Sequence, residues 1–298
     1  MTADPAQRRA PALRRSWLFI GGADEEQLAA GPASGADVLI HELEDFTAPE
    51  RRPFARGLAK DLYTAWRAAG AVAAVRVNPL AGDGRDDLEA VMAGAPDSVL
   101  LPKVESPEQV AELDTAVAEL ETRYGLEPGS TELVPNVEGA RGLRLTYEIA
   151  TASPRVSACL VASEDMAADL GVIRQPDGSE LHHVRGRFLV DCVAAEVLAI
   201  DSPYTWTDEA GLSADTLWAK QLGFKAKSTV TLPHAAVINE LLTPSAGEIA
   251  KAEEVVQVFE AARRSGAGRV ELHGSLVEVP IYNNAKALLE RATALGVR

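Results

Sequence analysis

Three acidic side chains crowd the end of an apolar run in the segment VLIHELEDFTAPERR, residues 38–52. These side chains are Glu42, Glu44 and Asp45, and they follow the apolar residues within a few positions. Burying several like charges without a cation is costly, and their pKa values would rise until some became neutral. The segment is therefore either an exposed surface turn or part of a site that also holds a positive charge.

Charged and amide residues also end the other apolar runs of the chain. Taken alone, each would be a solvated loop charge or a helix cap. In a barrel of parallel strands, however, the carboxyl ends of the strands converge on one rim, where the active site lies. Together they predict a polar rim, made of Glu44, Asp45, Arg76, Asn78, Lys103, Glu105, Asn136, Glu138, Glu164, Asp165, Asp201 and Lys227.

Glu138 and Asp165 are the best pair of metal ligands in this set. They end sequential strands, so a barrel would place them as neighbours on the rim. Two carboxylates, completed by water and a bidentate ligand, suit the octahedral oxygen shell that Mg²⁺ prefers. The sequence therefore predicts a Mg²⁺ or Mn²⁺ site at Glu138 and Asp165.

Three further rim residues are candidates for binding a substrate. Arg76 can hold a carboxylate with its planar guanidinium, although an ion pair with Glu44 or Asp45 is an alternative role and both can coexist. Asn78 ends the same apolar run as Arg76, and Lys103 ends the next one. Lys103 also permits a different mechanism, in which its amine forms a Schiff base without any metal.

The elements that must position these residues alternate regularly along the chain. Short apolar runs are each followed by a helical pattern, and there are eight such units. This number predicts a TIM (β/α)8 barrel, an α/β fold, rather than an open doubly wound sheet, since no GxGxxG segment follows the first strand. The predicted strands lie at 16–22, 37–45, 71–79, 97–106, 131–139, 155–165, 199–206 and 224–232.

The pattern predicts three parts of the chain. Residues 1–15 are rich in Arg, Ala and Pro and are expected to be a mobile tail or an arm that lies on the surface. Residues 16–243 form the barrel domain. Residues 244–298 read as two helices with a short connection, including a capping box at Ser245 and Glu248, and are expected to pack on a neighbouring subunit.

Composition excludes several classes of protein. The formal net charge is −15, which argues against binding nucleic acid and gives no attraction to anionic lipid, but leaves an anionic substrate possible beside a local cation. No apolar run reaches the length of a membrane span. The two cysteines, Cys159 and Cys192, lie in apolar runs without metal-ligand spacing and predict a reducing, cytoplasmic location.

The ordered segments of the chain resemble the HpcH/HpaI aldolase and citrate lyase family, especially its citrate lyase beta-subunit-like and malyl-CoA lyase-like branch. The resemblance extends over most of the sequence and rests on the order and spacing of its pieces. The matching segments are RSWLFIGG, GADVLIHELEDFTAPERR, VRVNP, VLLPKVESPEQV, NVEGARG, ASEDMAADLG, AIDSPY, GFKAKS, NELLTPSAGEIAKAEEV and GSLVEVPIYNNAKALLERA.

This resemblance implies a divalent-metal-dependent carbon–carbon lyase with a TIM barrel, assembled as a homotrimer or larger homo-oligomer. The substrates implied are 2-oxo acid aldols or 3-hydroxyacyl-CoA thioesters. The family's metal ligands fall on Glu138 and Asp165, and its carboxylate-binding arginine falls on Arg76. The remaining implied roles are catalytic: Glu44 and Asp45 near metal-bound water, and Glu278, from the segment LVEV, as an acid.

Four segments depart from the family pattern. The first loop reads GGADEEQL, with Asp24 and Gln27 where basic residues usually help to hold CoA, so it predicts a poor cradle for phosphates. ELEDFT replaces the usual DLEDAV, Ala162 replaces a glycine, and VTL replaces IHP. No predicted metal ligand is lost, so the departures indicate a different substrate or a non-catalytic barrel that serves as a binding subunit.

Overall fold

The computed structural model describes residues 8–298. Up to Asn239 the chain forms one unit around a closed barrel of eight parallel strands, so the predicted TIM barrel is confirmed. Trp17 pairs with Val38 on one side and with Ser228 on the other, which closes the barrel between its first and last strands. The strands are β1 (Ser16–Gly21), β2 (Val38–Glu42), β3 (Val72–Arg76), β4 (Ser98–Leu101), β5 (Glu132–Val137), β6 (Ala158–Val161), β7 (Leu198–Asp201) and β8 (Ala226–Thr229).

Helices cover the outside of this barrel. Local sequence sets several of their starts: Asp24 and Asp208 each accept a hydrogen bond from a backbone N–H of the first turn that follows. The helices are α1 (Glu25–Ala30), α2 (Arg52–Ala68), α3 (Gly84–Val91), α4 (Pro107–Tyr124), α5 (Ala140–Arg144), α6 (Thr146–Ala150), α7 (Glu164–Leu170), α8 (His182–Ala194), α9 (Glu209–Leu222) and α10 (His234–Leu242).

Successive side chains of each strand point alternately into the barrel and out toward the helices. The inward residues form a core of their own: Trp17, Phe19, Val38, Ile40, Val72, Ala74, Leu100, Val134, Ala158, Leu160, Ile200 and Ala226. The outward residues, such as Leu39, Val75 and Leu133, pack against the helices in a second core. This alternation decides which of the charged residues at the strand ends can face the barrel mouth.

Residues 8–15 are held by side-chain contacts, which suits an arm on the surface better than a mobile tail. Arg14 donates to Glu132 Oε1 over 2.9 Å, Arg15 donates to Asp37 Oδ2 over 2.9 Å, and Arg8 donates to the Asp97 carbonyl over 3.0 Å. All three partners stand at the amino-terminal ends of strands. The segment is therefore fixed by ion pairs to residues far away in sequence. Residues 1–7 of the predicted tail lie outside the described residues.

Residues 240–298 form a second unit, where the sequence predicts a division at 243–244. It contains α11 (Ala246–Arg264), the antiparallel strands β9 (Val270–Leu272) and β10 (Ser275–Val277), and α12 (Val279–Ala294). Ser245 and Glu248 form the predicted capping box at the start of α11. Ala252, Phe259 and Leu289 are among its own buried core. Its packing on a neighbouring subunit stays a prediction.

Within residues 8–298, no helix combines the length and the apolar content needed to cross a membrane.

Candidate active site

Glu42 and Arg76 are paired across β2 and β3 on the inner face of the barrel. Glu42 is fully buried, and its carboxylate accepts hydrogen bonds from the backbone N–H groups of Glu44 and Phe46, over 2.7 and 2.6 Å. It also accepts from Arg76 Nε over 2.8 Å. Glu42 therefore fixes both the turn that follows β2 and the position of the arginine.

Glu44 lies between two cations at the mouth of the barrel. Its Oε1 accepts a hydrogen bond from Lys103 Nζ, while Oε2 lies 3.3 Å from Arg76 Nη2. Burial raises the pKa of Glu44, and the neighbouring Asp45 adds to the rise, although Arg76 and Lys103 oppose it. Glu44 is therefore a carboxyl group that accepts a proton more readily than an exposed one.

Arg76 connects the carboxylates of neighbouring strands. Besides its contacts with Glu42 and Glu44, its Nη1 lies 3.8 Å from Glu138 Oε1. The guanidinium also faces two aromatic rings, with its carbon 5.0 Å from the centre of Phe19 and 5.7 Å from that of Phe46. The Nε atom is tightly held, whereas the two terminal nitrogens have longer contacts that a ligand carboxylate can replace.

Glu138 is the least satisfied carboxylate at the mouth. It is 3% exposed, and neither of its oxygens has a hydrogen-bond partner. Burial raises its pKa to about 7, with further repulsion from Glu44 and Asp165 that Arg76 partly offsets. Burying a carboxylate without hydrogen-bond donors costs free energy. A cation beside it would coordinate the unpaired oxygens and offset the repulsion between the carboxylates. The donor set therefore fits a divalent metal ion.

Asp165 supplies the second oxygen donor of the predicted metal pair. It lies in the first turn of α7 and is half-buried, and its charge is close enough to raise the pKa of Glu138. In residues 8–298, no group of three or more His, Cys, Asp or Glu side chains is placed to hold a metal ion. The predicted metal site is thus limited to two protein carboxylates, a set that leaves room for water and substrate oxygens around Mg²⁺.

Lys103 stands at the mouth with an unusual backbone conformation. Its φ of 53° lies in the left-handed region, which costs free energy for a residue with a side chain. Its Nζ contacts Glu44 and lies 3.5 Å from Asp45 Oδ1. Burial opposes its charge, but the hydrogen bond and charge of Glu44 outweigh that effect and raise the pKa of Lys103. A Schiff-base lysine needs the opposite shift, toward a neutral amine.

We call the six residues Glu42, Glu44, Arg76, Lys103, Glu138 and Asp165 the mouth cluster. The other predicted site residues stand apart from it to different degrees. Asp45 is half-exposed beside Lys103. Asn78 donates its amide protons to the Leu43 carbonyl and to Asp87 Oδ2, each over 2.8 Å, so these contacts give it a structural role. Glu278 is exposed in the second unit, where it precedes the first residue of α12.

Asp201 and Lys227 do not join the predicted rim. Each follows an inward-facing core residue, Ile200 and Ala226, so its own side chain points outward toward the helices. There Lys227 Nζ lies 2.7 Å from Asp201 Oδ2, and Arg185 and Asp215 complete a buried group of four charges. We call these four residues the wall cluster. The alternation of each strand, counted from its core residues, is the signal that separates the two clusters.

Two residues near the mouth cluster have no predicted role in binding or catalysis, although Asn136 belongs to the predicted rim. Phe46 is half-exposed and covers the Arg76 guanidinium. Asn136 is fully buried in β5, with both side-chain polar atoms unpaired. Asn136 does end an apolar run in the sequence, but only the structure reveals that its amide has no protein partner.

Comparisons with known proteins agree on one family. The family profile described as HpcH/HpaI aldolase/citrate lyase matches residues 15–231. Citrate lyase subunit beta of Escherichia coli strain K12 is 33% identical over 300 residues, covering 100% of this chain and 99% of the relative. A (3S)-malyl-CoA thioesterase of Cereibacter sphaeroides is 31% identical over 284 residues, covering 95% of each chain.

A solved structure is similar over nearly the whole chain. The protein CitE of Mycobacterium tuberculosis, in complex with magnesium, acetoacetate and coenzyme A, is 30% identical. The match has a TM-score of 0.76 and covers 96% of this chain and 99% of that one. The likeness therefore holds for both the barrel strands and the sequence that they carry.

Proposed function

The chain belongs to the HpcH/HpaI aldolase/citrate lyase family of carbon–carbon lyases, and from that premise we propose that it is a Mg²⁺-dependent lyase or aldolase. Its substrate would be a 3-hydroxyacyl-CoA of the citryl-CoA or malyl-CoA type, or a related 2-oxo acid aldol. The observation that carries the proposal is Glu138, a buried carboxylate with two unpaired oxygens beside the Arg76 guanidinium.

Glu138 and Asp165 would hold the metal ion, with Mn²⁺ as a substitute for Mg²⁺. When bound, the ion supplies a Lewis acid that polarises a substrate oxygen and stabilises the negative charge that develops there. The magnesium in the M. tuberculosis structure supports this assignment by analogy. The raised pKa of Glu138 supports it on physical grounds, because Arg76 and Lys103 only partly offset the cost of burying its charge.

Arg76 would bind the carboxylate of the substrate through its two terminal nitrogens. Their contacts with Glu44 and Glu138 are long, at 3.3 and 3.8 Å, so an incoming carboxylate can replace them in a bidentate geometry. The shorter bond from Nε to Glu42 would stay in place and keep the guanidinium oriented. Substrate binding would thus use a cation that is already positioned.

Glu44 would act as the base that takes the proton of the substrate hydroxyl when the carbon–carbon bond breaks. Its Oε2 has no hydrogen-bond partner, and burial already favours its protonated form. Lys103 would hold Oε1 and keep the carboxyl group aimed at the substrate. Asp45, which also faces Lys103, would assist from the exposed side of the mouth.

Glu278 is the proposed acid that returns a proton to the departing carbon, acting from a neighbouring copy of the chain. It is exposed at the start of α12, as a residue that reaches another subunit must be. Mixing Glu278→Ala protomers with Asp165→Ala protomers would restore part of the activity that each variant lacks. Mixed oligomers without any recovery would contradict a shared site.

The test of the proposed function is an assay with and without metal. We expect purified protein with Mg²⁺ to release an oxo acid or aldehyde product from malyl-CoA, citryl-CoA or a 4-hydroxy-2-oxo acid. EDTA would abolish the reaction, and Mg²⁺ would restore it. A reaction that survives EDTA and is trapped by borohydride on Lys103 would contradict the metal mechanism in favour of a Schiff base. Mg²⁺ binding without turnover of any substrate would indicate a non-catalytic barrel.

A thermal-shift screen distinguishes the two substrate classes, because a ligand that binds the native state raises the melting temperature of the protein. Oxaloacetate, glyoxylate and pyruvate would be compared with acetyl-CoA, each with Mg²⁺. Asp24 caps α1, and Glu25 and Glu26 follow it in the first turn, so this loop offers no positive charge to phosphates. We therefore expect larger shifts with the oxo acids than with acetyl-CoA.

A further inference from the structure

Asn136 lies on the inner face of β5, two residues before Glu138. Val134 of the same strand belongs to the inner core, whereas Leu133 and Val137 belong to the outer core. Asn136 therefore shares its face with Val134 and Glu138. Two residues along a strand span about 6.6 Å, so the amide lies one step deeper in the barrel than the Glu138 carboxylate.

The carboxamide of Asn136 has no partner in the protein. The residue is fully buried, and neither Oδ1 nor Nδ2 has a hydrogen bond, although its backbone carbonyl accepts one from Val104 over 3.0 Å. The neighbouring inward residues of the barrel, such as Leu100 and Leu160, are apolar. An amide at such a position costs stability unless something else occupies its donors and acceptor.

Asn78 provides a comparison within the same barrel. It is also a buried asparagine near the mouth, but its amide nitrogen donates to Leu43 and to Asp87. This chain therefore satisfies an asparagine amide when the residue holds a loop in place. Asn136 has no such contacts, although an apolar side chain at its position would leave no polar atom unpaired.

We propose that Asn136 is a specificity-determining residue that binds the hydroxyl group of a hydroxy acid at the mouth of the barrel. The amide nitrogen of Asn136 can donate to the oxygen of that hydroxyl group, and the hydroxyl proton then stays available to Glu44. Arg76, which reaches Glu138, would hold a carboxylate of the same ligand. This inference rests on the proposed function, because it takes the mouth cluster to be the substrate site.

The consequence is discrimination between acids that differ only in a hydroxyl group. A site with a buried amide pays a penalty when it binds a ligand that leaves the amide unpaired. Malate and succinate are a matched pair, since both carry two carboxylates and only malate carries the hydroxyl. We expect the wild-type protein to bind one enantiomer of malate at least about tenfold more tightly than succinate.

The experiment measures the dissociation constants of L-malate, D-malate and succinate by calorimetry, with and without Mg²⁺. In Asn136→Leu the preference for malate would fall to within about twofold, while the affinity for succinate stays equal or rises and that for Mg²⁺ stays unchanged. Arg76→Gln is the matched control, because it should weaken all three acids and leave the preference intact. If the larger side chain of Asn136→Leu prevents folding, Asn136→Ala replaces it, and the same ratio of dissociation constants for succinate and malate is measured.

Two outcomes would overturn the role of Asn136. One is a preference for malate that persists in Asn136→Leu, which would mean that an internal water molecule, and not the ligand, is the hydrogen-bond partner of the amide. The other is a wild-type protein that binds malate and succinate equally, or binds neither. Both differ from a failure of the proposed function, which would appear as an absence of Mg²⁺ binding or of metal-dependent turnover. In that case the titrations of malate and succinate without Mg²⁺ still test the role of Asn136.

Discussion

The mouth cluster and the wall cluster are both ionic groups of the same barrel, but they are built in opposite ways. The wall cluster pairs two cations, Arg185 and Lys227, with the carboxylates of Asp201 and Asp215. Arg185 donates to Asp201 over 2.7 and 2.8 Å and to Asp215 over 2.7 Å. Lys227 Nζ completes the group with contacts of 2.7 Å to Asp201 and 2.6 Å to Asp215.

The mouth cluster has four carboxylates and only two cations. Its carboxylates are those of Glu42, Glu44, Glu138 and Asp165, and Glu138 has two unpaired oxygens. Balanced charges with complete hydrogen bonds are what a buried structural group requires. An excess of negative charge with unpaired oxygens is instead suited to an added cation. Both clusters contain buried charges. They differ in whether those charges are balanced and fully hydrogen-bonded, and this difference separates the candidate site from the structural group.

The largest expected effect is on activity when the unsatisfied carboxylate is neutralised. We expect Glu138→Gln to lower kcat/KM at least about a thousandfold, because metal stabilisation of the transition state contributes several kcal/mol. Glu112→Gln, at an exposed ion pair with Arg85, is the control and should keep full activity. The melting temperature of Glu138→Gln in EDTA should equal or exceed that of wild type. A large fall in that temperature would give Glu138 a structural role.

The wall cluster should respond in the reverse manner. Lys227→Met leaves Asp201 and Asp215 without one of their two cations, so the free energy of unfolding should fall by about 3–5 kcal/mol. Chemical denaturation measures this change. The folded fraction should still bind Mg²⁺ with an affinity within twofold of wild type. A loss below about 1 kcal/mol, or a loss of metal affinity, would remove the distinction between the clusters.

His41 adds a buried, neutral contact on the outer face of β2. Its Nε2 donates to the Gly22 carbonyl over 3.1 Å, and its Nδ1 accepts from Tyr63 over 3.0 Å. Burial lowers the pKa of His41 to about 4, although the bond to Gly22 opposes the shift. The unfolded chain therefore binds a proton that the folded chain rejects between pH 6.5 and 4.

The contribution of His41 to stability should be complete above pH 6.5 and should be lost as the pH falls toward 4, by about 3 kcal/mol. His41→Gln removes this component, so unfolding curves of the two proteins between pH 4 and 7 measure it. The Mg²⁺ affinity at neutral pH should be the same in both. Parallel pH profiles would contradict a neutral buried histidine.

The smallest expected effect concerns the link between the turn after β2 and Arg76. Glu42→Gln keeps the shape of the side chain but removes the charge that orients the guanidinium. One charge-assisted hydrogen bond is worth about 1.5–3 kcal/mol, so KM should rise about tenfold or more while kcat changes less. Asp45→Asn, at a half-exposed position, is the matched control and should change KM less. An unchanged KM would make Glu42 dispensable for Arg76.

Much of the barrel is predictable because its strands carry a local signal. Apolar runs of suitable length, each followed by a helical pattern, predict eight units without any knowledge of distant contacts. The proposed metal pair, Glu138 and Asp165, follows from the same reasoning, since barrel geometry brings the ends of sequential strands together.

The remaining features depend on contacts that are distant in sequence or on the direction of single side chains. Arg14 binds Glu132 across more than a hundred residues, so the segment 8–15 gave no local sign of its anchoring. The strands β9 and β10 have three residues each, too few for a periodic pattern. Asp201 and Lys227 lie on the outer face of their strands, a direction that follows only from the alternation of each strand and not from the position of an apolar run in the sequence.

The most direct test of the mouth cluster as the metal site is a calorimetric titration of Mg²⁺ into wild-type protein, Glu138→Gln and Lys227→Met under identical conditions. We expect one site per chain in wild type, a dissociation constant at least tenfold higher in Glu138→Gln, and an unchanged constant in Lys227→Met. A Glu138→Gln protein that binds Mg²⁺ as tightly as wild type would contradict the assignment of the mouth cluster as the metal site.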